Sequence, residues 1–161
     1  MNTILLRPIA EKDIPLVADI LQDHRVNSFY MVPDLAREEA MKLSARIASL
    51  CHQEKHYVRG LYKGDVLIGF LNDVNITGTA IELGWVVAPA HQGNGYATEA
   101  VRAAIDDLFS KGYSQVVSGA FSENAASIRV MEKAGMVPQD KTEEIEYRGQ
   151  THNCVYFAIR K

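Results

Sequence analysis

The chain has 161 residues, enough for one domain with a real buried core. Its 17 Lys and Arg against 20 Asp and Glu leave a formal charge of −3, which speaks against a nucleic-acid-binding face, and no apolar run is long enough to span a membrane. The N-terminal residues lack the layout of a signal peptide, and Cys51 and Cys154 are too few and too far apart for a disulfide framework, so a cytoplasmic protein with reduced thiols is expected.

Ile4 to Leu6 reads as a short strand stopped by Pro8. Asp13 stands where it can cap a helix whose apolar positions Ile14, Val17, Ile20 and Leu21 recur at helical spacing. Arg37 to Leu50 is a second helix, with Ala40, Leu43, Ile47 and Leu50 on one face. His52 and His56 are four apart, but the zinc-protease motif needs Glu directly after the first His, and Gln53 stands there. A helix end running into a strand is the better reading, and no metal is expected. Strands follow at Tyr57 to Tyr62 and Val66 to Asp73, joined at Lys63-Gly64-Asp65, and another runs from Ala80 to Val87. Thr98 to Ser110 is a helix with Val101, Ala104, Ile105 and Leu108 as its buried stripe. Gln115 to Ser118 is a strand, Ala125 to Ala134 a helix ended by Gly135, and two strands close the chain. No repeat, low-complexity tract or linker divides it, so 1–161 reads as a single α/β domain with a mixed sheet, parallel only around the glycine-rich turn.

That turn carries the strongest functional signal. In Trp85-Val86-Val87-Ala88-Pro89-Ala90-His91-Gln92-Gly93-Asn94-Gly95-Tyr96-Ala97-Thr98, an apolar strand enters a turn with two glycines, and a helix follows at once. The glycines allow a sharp turn and a close approach of ligand to backbone, and the free N–H groups of the helix start favour an anion such as a phosphate. A P-loop would need Lys-Ser or Lys-Thr after the last glycine, where Tyr96-Ala97 stands. A dinucleotide fingerprint would need Gly or Ala at Thr98 and an acid on the next strand, where Ser114 to Gly119 holds none.

Gln92-Gly93-Asn94-Gly95-Tyr96-Ala97 does resemble the acyl-CoA loop of the Gcn5-related N-acetyltransferases, [Gln/Arg]-x-x-Gly-x-[Gly/Ala], at every position. Further along, Asn124-Ala125-Ala126-Ser127 and Glu132-Lys133-Ala134-Gly135-Met136 are similar to a helix of the branch that acetylates ribosomal-protein N-termini. Leu6-Arg7-Pro8-Ile9 with Asp13, and Glu144 to Gln150 followed by Val155-Tyr156-Phe157, resemble that branch's opening and closing segments. The matches cover nearly the whole chain in order. The resemblance implies a mostly antiparallel sheet, flanked by helices, whose central parallel pair, Ala80–Val87 and Gln115–Ser118, splays apart. The pantetheine arm of acetyl-CoA would enter that gap, with exposed backbone near Val86 and Val87 and the pyrophosphate over Gln92, Gly93, Asn94, Gly95, Tyr96 and Ala97.

Acetyl transfer from a thioester to an amine needs a neutral amine, a place for the oxyanion and a proton for the leaving thiolate. Glu82 is the candidate base. It shares a strand face with Gly84 and Val86, and histone-type relatives carry a catalytic glutamate there. A solvated or salt-bridged carboxylate at a sheet edge is the alternative. Asn124 suits a helix cap and, by resemblance, also contacts CoA. Ser127 matches the position of the branch's proposed proton donor; as a polar first-turn residue it would also be unremarkable. His91 either touches phosphate or caps the turn. By resemblance, His24, Arg25, Phe29 and Tyr30 and the Tyr147–Gln150 turn wall the acceptor pocket, while Phe29 and Tyr30 would serve equally as core anchors.

The expected function is direct acetyl transfer from acetyl-CoA to a primary amine, with a protein N-terminal α-amine as the leading acceptor and no metal, nucleic acid or membrane involved. The same chemistry on a polyamine, amino acid or antibiotic is an alternative, as is an acyl-CoA-binding sensor without catalysis. A homodimer is compatible with the resemblance, and no residue demands it.

Overall fold

The computed structural model describes residues 3–161, so residues 1 and 2 of the expected domain lie outside the described residues. The strands are β1 (Ile4–Arg7), β2 (Val58–Lys63), β3 (Val66–Thr77), β4 (Ala80–Val87), β5 (Gln115–Phe121), β6 (Val137–Tyr147) and β7 (Gln150–Arg160). The α-helices are α1 (Ile14–Gln22), α2 (His24–Asn27), α3 (Arg37–Leu50), α4 (Tyr96–Ser110) and α5 (Ala125–Lys133). The strands form one sheet in the order β1-β2-β3-β4-β5-β7-β6. Among the described residues only β4 and β5 run parallel; every other neighbouring pair is antiparallel. The expected α/β class and mixed sheet are both present. No helix among the described residues is long and apolar enough to cross a membrane.

Period-two alternation divides the strand residues between two cores. Leu71 and Val87 join Ala100, Val101, Ala104, Ile105 and Leu108 of α4, while their neighbours Phe70 and Val86 join Val17, Leu21 and Ile47 of α1 and α3. The helical stripe read from sequence in α4 is therefore the buried one. A third small cluster gathers Phe121, Cys154 and Tyr156 under the β6–β7 hairpin.

Several boundaries differ from the sequence reading, each for a local reason. Asp13 occupies the cap position of α1, but its side chain makes no cap bond, because it accepts the buried Tyr62 hydroxyl at 2.8 Å instead. β3 continues to Thr77 past a register shift at Asp73–Asn75, and β5 continues to Phe121 because it pairs with β7 along its full length. α4 begins at Tyr96, since the left-handed Gly95 (φ 78°) lets the helix start without a spacer. The segment before α3 holds α2, whose Asp23 cap accepts the Arg25 N–H at 2.9 Å.

At the β3–β4 contact the two backbones come very close. A Cβ placed on Gly69 would stand 2.1 Å from the carbonyl oxygen of Val86. Any side chain there must push β4 away from β3. Gly69→Ala is expected to cost about 1–3 kcal/mol. For a domain of this size that is several degrees of melting temperature, at about 2–4 °C per kcal/mol. Thermal unfolding checks it, and an unchanged midpoint would mean that β4 yields without cost.

Candidate active site

The parallel ladder between β4 and β5 is short. It joins Ala80, Ile81 and Glu82 to Gln115, Val116 and Val117 and then stops. Beyond that point β4 follows β3, and β5 follows β7, so the two strands part. Antiparallel pairing alternates bonded and non-bonded residues, which fixes where the β4 main chain points. The Ala88 N–H donates to the Ile68 carbonyl at 2.7 Å. Counting back through the register, Val87, Trp85 and Leu83 turn their main-chain N–H and C=O groups away from β3 and toward β5. Two of those carbonyls have partners: Leu83 accepts the Ser118 hydroxyl at 2.8 Å, and Val87 accepts the Gln92 side-chain amide at 2.9 Å. The main-chain N–H groups of Trp85 and Val87 face the gap.

A cavity of about 450 Å³ occupies this gap. Its floor is Gly84 to Val87 on one side and Ser118 to Ala120 on the other. At one end lies the glycine turn, where Gly93 and Gly95 take φ of 81° and 78°. A Cβ at either would meet nothing within 4 Å, so the backbone conformation alone calls for glycine there. The unpaired N–H groups of the first turn of α4 open beside them, an arrangement that favours an anion. His91, Arg129 and Lys133 add basic side chains around the cavity, and no carboxylate lines it among the described residues.

Asn124 and Ser127 stand at the start of α5. The Asn124 Oδ1 accepts the Ser127 N–H at 3.2 Å, and its Nδ2 donates to the Ser127 Oγ at 3.0 Å. The Ser127 hydroxyl is thus oriented as an acceptor, and its own hydrogen is left for a group in the cavity. The opposite wall is α2 and the turn after it, with Arg25, Val26, Phe29 and Tyr30. Tyr30 donates to Asn72 Oδ1 at 3.1 Å, its ring stands edge-on to Phe70, and burial pushes its pKa up to about 12. It stays a neutral donor at any physiological pH.

Residues 3–137 match the family model described as Acetyltransferase (GNAT) domain. The chain belongs to the GNAT acetyltransferase family. It is therefore an acyltransferase by family. The uncharacterized N-acetyltransferase YnaD of Bacillus subtilis is 31% identical, over 83% of this chain and 78% of that protein. Among solved structures, an acetyltransferase of Salmonella typhimurium that modifies the N-terminal serine of ribosomal protein L7/L12 superimposes with a TM-score of 0.85, at 16% identity over 100% of this chain and 96% of that one. The spermidine N-acetyltransferase of Vibrio cholerae, in complex with CoA and spermine, gives 0.84 at 19% identity, over 99% and 96%. At these identities the likeness is one of fold.

In this GNAT domain the cavity gathers most of the residues singled out from sequence: Phe29, Tyr30, Val86, Val87, Gln92, Gly93, Gly95, Tyr96, Ala97, Asn124 and Ser127 all line it. Asn94 does not. Its side chain folds back onto the carbonyls of His91 and Gln92, each at 3.2 Å, and shapes the turn from behind. Glu82 also lies outside the lining, half-buried where the ladder still closes, on the same strand face as Gly84 and Val86. Burial raises its pKa, Lys141 pulls it down and Glu143 pushes it up. His24 is not in the lining, and Arg25 is paired with Asp23 at 2.7 Å. Trp85, Ser118, Gly119, Arg129 and Lys133 line the cavity without having been singled out. The parting of the strands places them, and strand alternation within β4 could have pointed to Trp85.

The Tyr147–Gln150 turn braces the wall instead of forming it. The Tyr147 hydroxyl lies against the carbonyl oxygens of Asn27 and, at 2.9 Å, Val32, and accepts the Val32 N–H at 3.3 Å. Arg148, at a positive φ of 52°, reaches Asp34 and the Val32 carbonyl, both at 3.0 Å. Tyr147→Phe should loosen residues 28–32 and speed their amide exchange about fivefold, the equivalent of about one hydrogen bond, while α4 keeps its protection. Exchange that does not change would show Arg148 holding the wall alone.

Proposed function

We propose that this acetyltransferase uses acetyl-CoA as donor and moves the acetyl group directly onto a primary amine, with a polypeptide α-amine as the acceptor class. The observation that carries this reading is the gap itself. A strand-like arm can bond the inward-facing N–H groups of Trp85 and Val87, with its phosphates over the glycine turn and the start of α4. His91 beside the glycine turn, with Arg129 and Lys133 on the cavity lining, adds basic side chains that suit an anionic cofactor. CoA would bring the activated acyl group as its thioester. No metal takes part in this reading, and among the described residues no group of three or more His, Cys, Asp or Glu is arranged to hold one.

The amine nitrogen attacks the thioester carbon, and the carbonyl oxygen takes up negative charge at the innermost of the inward-facing N–H groups near Val87, that of Trp85. Collapse expels the CoA thiolate, which takes its proton from the Ser127 hydroxyl as that hydroxyl regains one from solvent. Glu82 accepts the proton shed by the amine, through water, because its carboxylate stands outside the cavity lining. An α-amine titrates at about 8 and is partly neutral at working pH, whereas a lysine, at about 10.4, would lean harder on the base. The cavity's lack of lining carboxylates also favours a single α-amine over a polycation, whose second charge would want one. Cys154, buried and with its pKa raised by burial, has no part in a direct transfer.

Acetyl-CoA at 100 times its dissociation constant should add about 2.7 kcal/mol and raise the melting temperature by several degrees, an effect lost in Gly95→Trp. ATP and NAD should give no such shift. Thiol release with short N-terminal peptides should exceed that with spermidine. Release with spermidine alone would transfer the reading to small amines, and tight binding with no release for any amine would leave a sensor.

The base assignment predicts a pH profile. Turnover needs ionised Glu82, so kcat/KM falls as pH drops through its raised pKa. Lys141→Gln removes a cation that stabilises the carboxylate and should shift the acid limb to higher pH, and Glu143→Gln should shift it lower. Glu82→Gln should cost about tenfold or more in kcat/KM at neutral pH while acetyl-CoA still binds. A profile unmoved by all three variants would remove Glu82 from the mechanism.

A further inference from the structure

Ser118 is 2% exposed, inside a strand where the β-branched, apolar Val116 and Val117 directly precede it. A serine is a poor choice there for packing or strand propensity. Its position explains it. The last rung of the β4–β5 ladder is Glu82 with Val117, and the next residues on each strand are Leu83 and Ser118. At that step the Leu83 carbonyl turns toward β5, where a continued ladder would offer it a main-chain N–H. The Ser118 hydroxyl donates to it instead, at 2.8 Å. Meanwhile Ser118, Gly119 and Ala120 are held by Phe157, Tyr156 and Val155 of β7, and Leu83 to Val87 by Asp73 to Gly69 of β3. The side chain thus satisfies the first buried carbonyl past the ladder while the two backbones separate. Had that carbonyl no partner, it would carry a desolvation penalty relieved by zipping the strands one step further or by admitting water.

We infer that Ser118 is the positioning residue that ends the β4–β5 ladder and fixes the depth of the cleft, so that an extended acyl-bearing arm entering past Val87 and Trp85 stops at Leu83. This rests on the donor reading above and adds to it which residue holds the acyl end of the cleft in register. Ser118 lines the same cavity as Trp85 and Val87, whereas the nucleotide end is built separately from the glycine turn and the start of α4. The two ends can therefore be tested apart.

The test is calorimetric titration of the full chain, wild type and Ser118 variants, with acetyl-CoA and with adenosine 3′,5′-bisphosphate, the nucleotide end of that cofactor without its arm. Ser118→Ala should weaken acetyl-CoA about tenfold, the scale of one buried carbonyl left unpaired, and leave the bisphosphate within about twofold of wild type. Ser118→Cys keeps nearly the same size but donates weakly; it should fall between, and it serves as well if the alanine variant does not fold. Acetyl-CoA binding unchanged in the variants, or both probes weakened equally, would overturn the positioning role, since a general loss of stability does not tell the arm from the nucleotide. A wild-type chain that binds the bisphosphate and acetyl-CoA equally well would also overturn it, because the cleft would then contribute nothing. Binding of neither by the wild type would fell the donor reading itself, and this inference with it.

Discussion

The arrangement of this domain depends on one interruption: β4 and β5 hold each other for three residue pairs and then let go. A parallel pair in the middle of a sheet has no reason of its own to part, since each further rung would bond two more main-chain groups. It parts here where β4 follows β3 and β5 follows β7, and where the Ser118 hydroxyl takes the first carbonyl past the last rung. β4 is drawn to β3 so closely that Gly69 admits no Cβ, and β5 pairs with β7 from Gln115 to Phe121. The gap is the space left between two better-satisfied pairings. The inward-facing N–H groups of Trp85 and Val87 open into it, so the interrupted parallel ladder and the candidate site are the same feature.

The walls of the gap are coupled through the β6–β7 hairpin. At its turn, Tyr147 and Arg148 bond the Asn27–Asp34 segment, which contributes Phe29 and Tyr30 to one wall. On β7, His152 stacks on Phe121 at 4.2 Å and pairs with Glu123, the residue before Asn124, which caps α5 on the other wall. Lys141 lies over the Tyr156 ring, and Tyr156 donates to Glu143 at 2.9 Å, which fixes the charges nearest Glu82. None of these hairpin residues lines the cavity. They act through the segments they hold, and so a hairpin whose β6 strand is almost wholly exposed is still bound to the site.

What could be read from the sequence follows the range of the interactions concerned. The bounds of α3 and β4 were legible because helical and strand periodicity are local, and the α4 stripe for the same reason. The glycine turn was legible because positive φ restricts residue type. Asp13 misled because a cap position is local, but its side chain bonds Tyr62, which is 49 residues away. The braces from Tyr147 and Arg148 span more than 110 residues and leave no local trace. Ser118 was invisible for a related reason: a serine in a strand looks like a surface residue until the strand opposite is known. The expectation for Glu82 was half legible. Alternation placed it on the face of Gly84 and Val86, but only the end point of the ladder shows that the cavity stops short of it.

That end point also separates two electrostatic tasks. A phosphate would want fixed positive charge in contact with solvent, which the glycine turn and the α4 start would offer at the exposed end, with Arg129 and Lys133 elsewhere on the cavity lining. Acyl transfer wants few charges in the cleft, so that a neutral amine is not trapped as an ion pair and a developing oxyanion meets main-chain donors. The floor from Gly84 to Val87 and from Ser118 to Ala120 carries no ionisable side chain. Glu82 sits one step behind this floor, where partial burial raises its proton affinity without putting its charge in the path of the substrate. A carboxylate inside the cavity would bind the ammonium form of an amine and hold it unreactive. Placed in the ladder's last rung, it would take the proton only as transfer releases it, so the residue pair that ends the ladder would also set the distance between such a base and the reacting atoms.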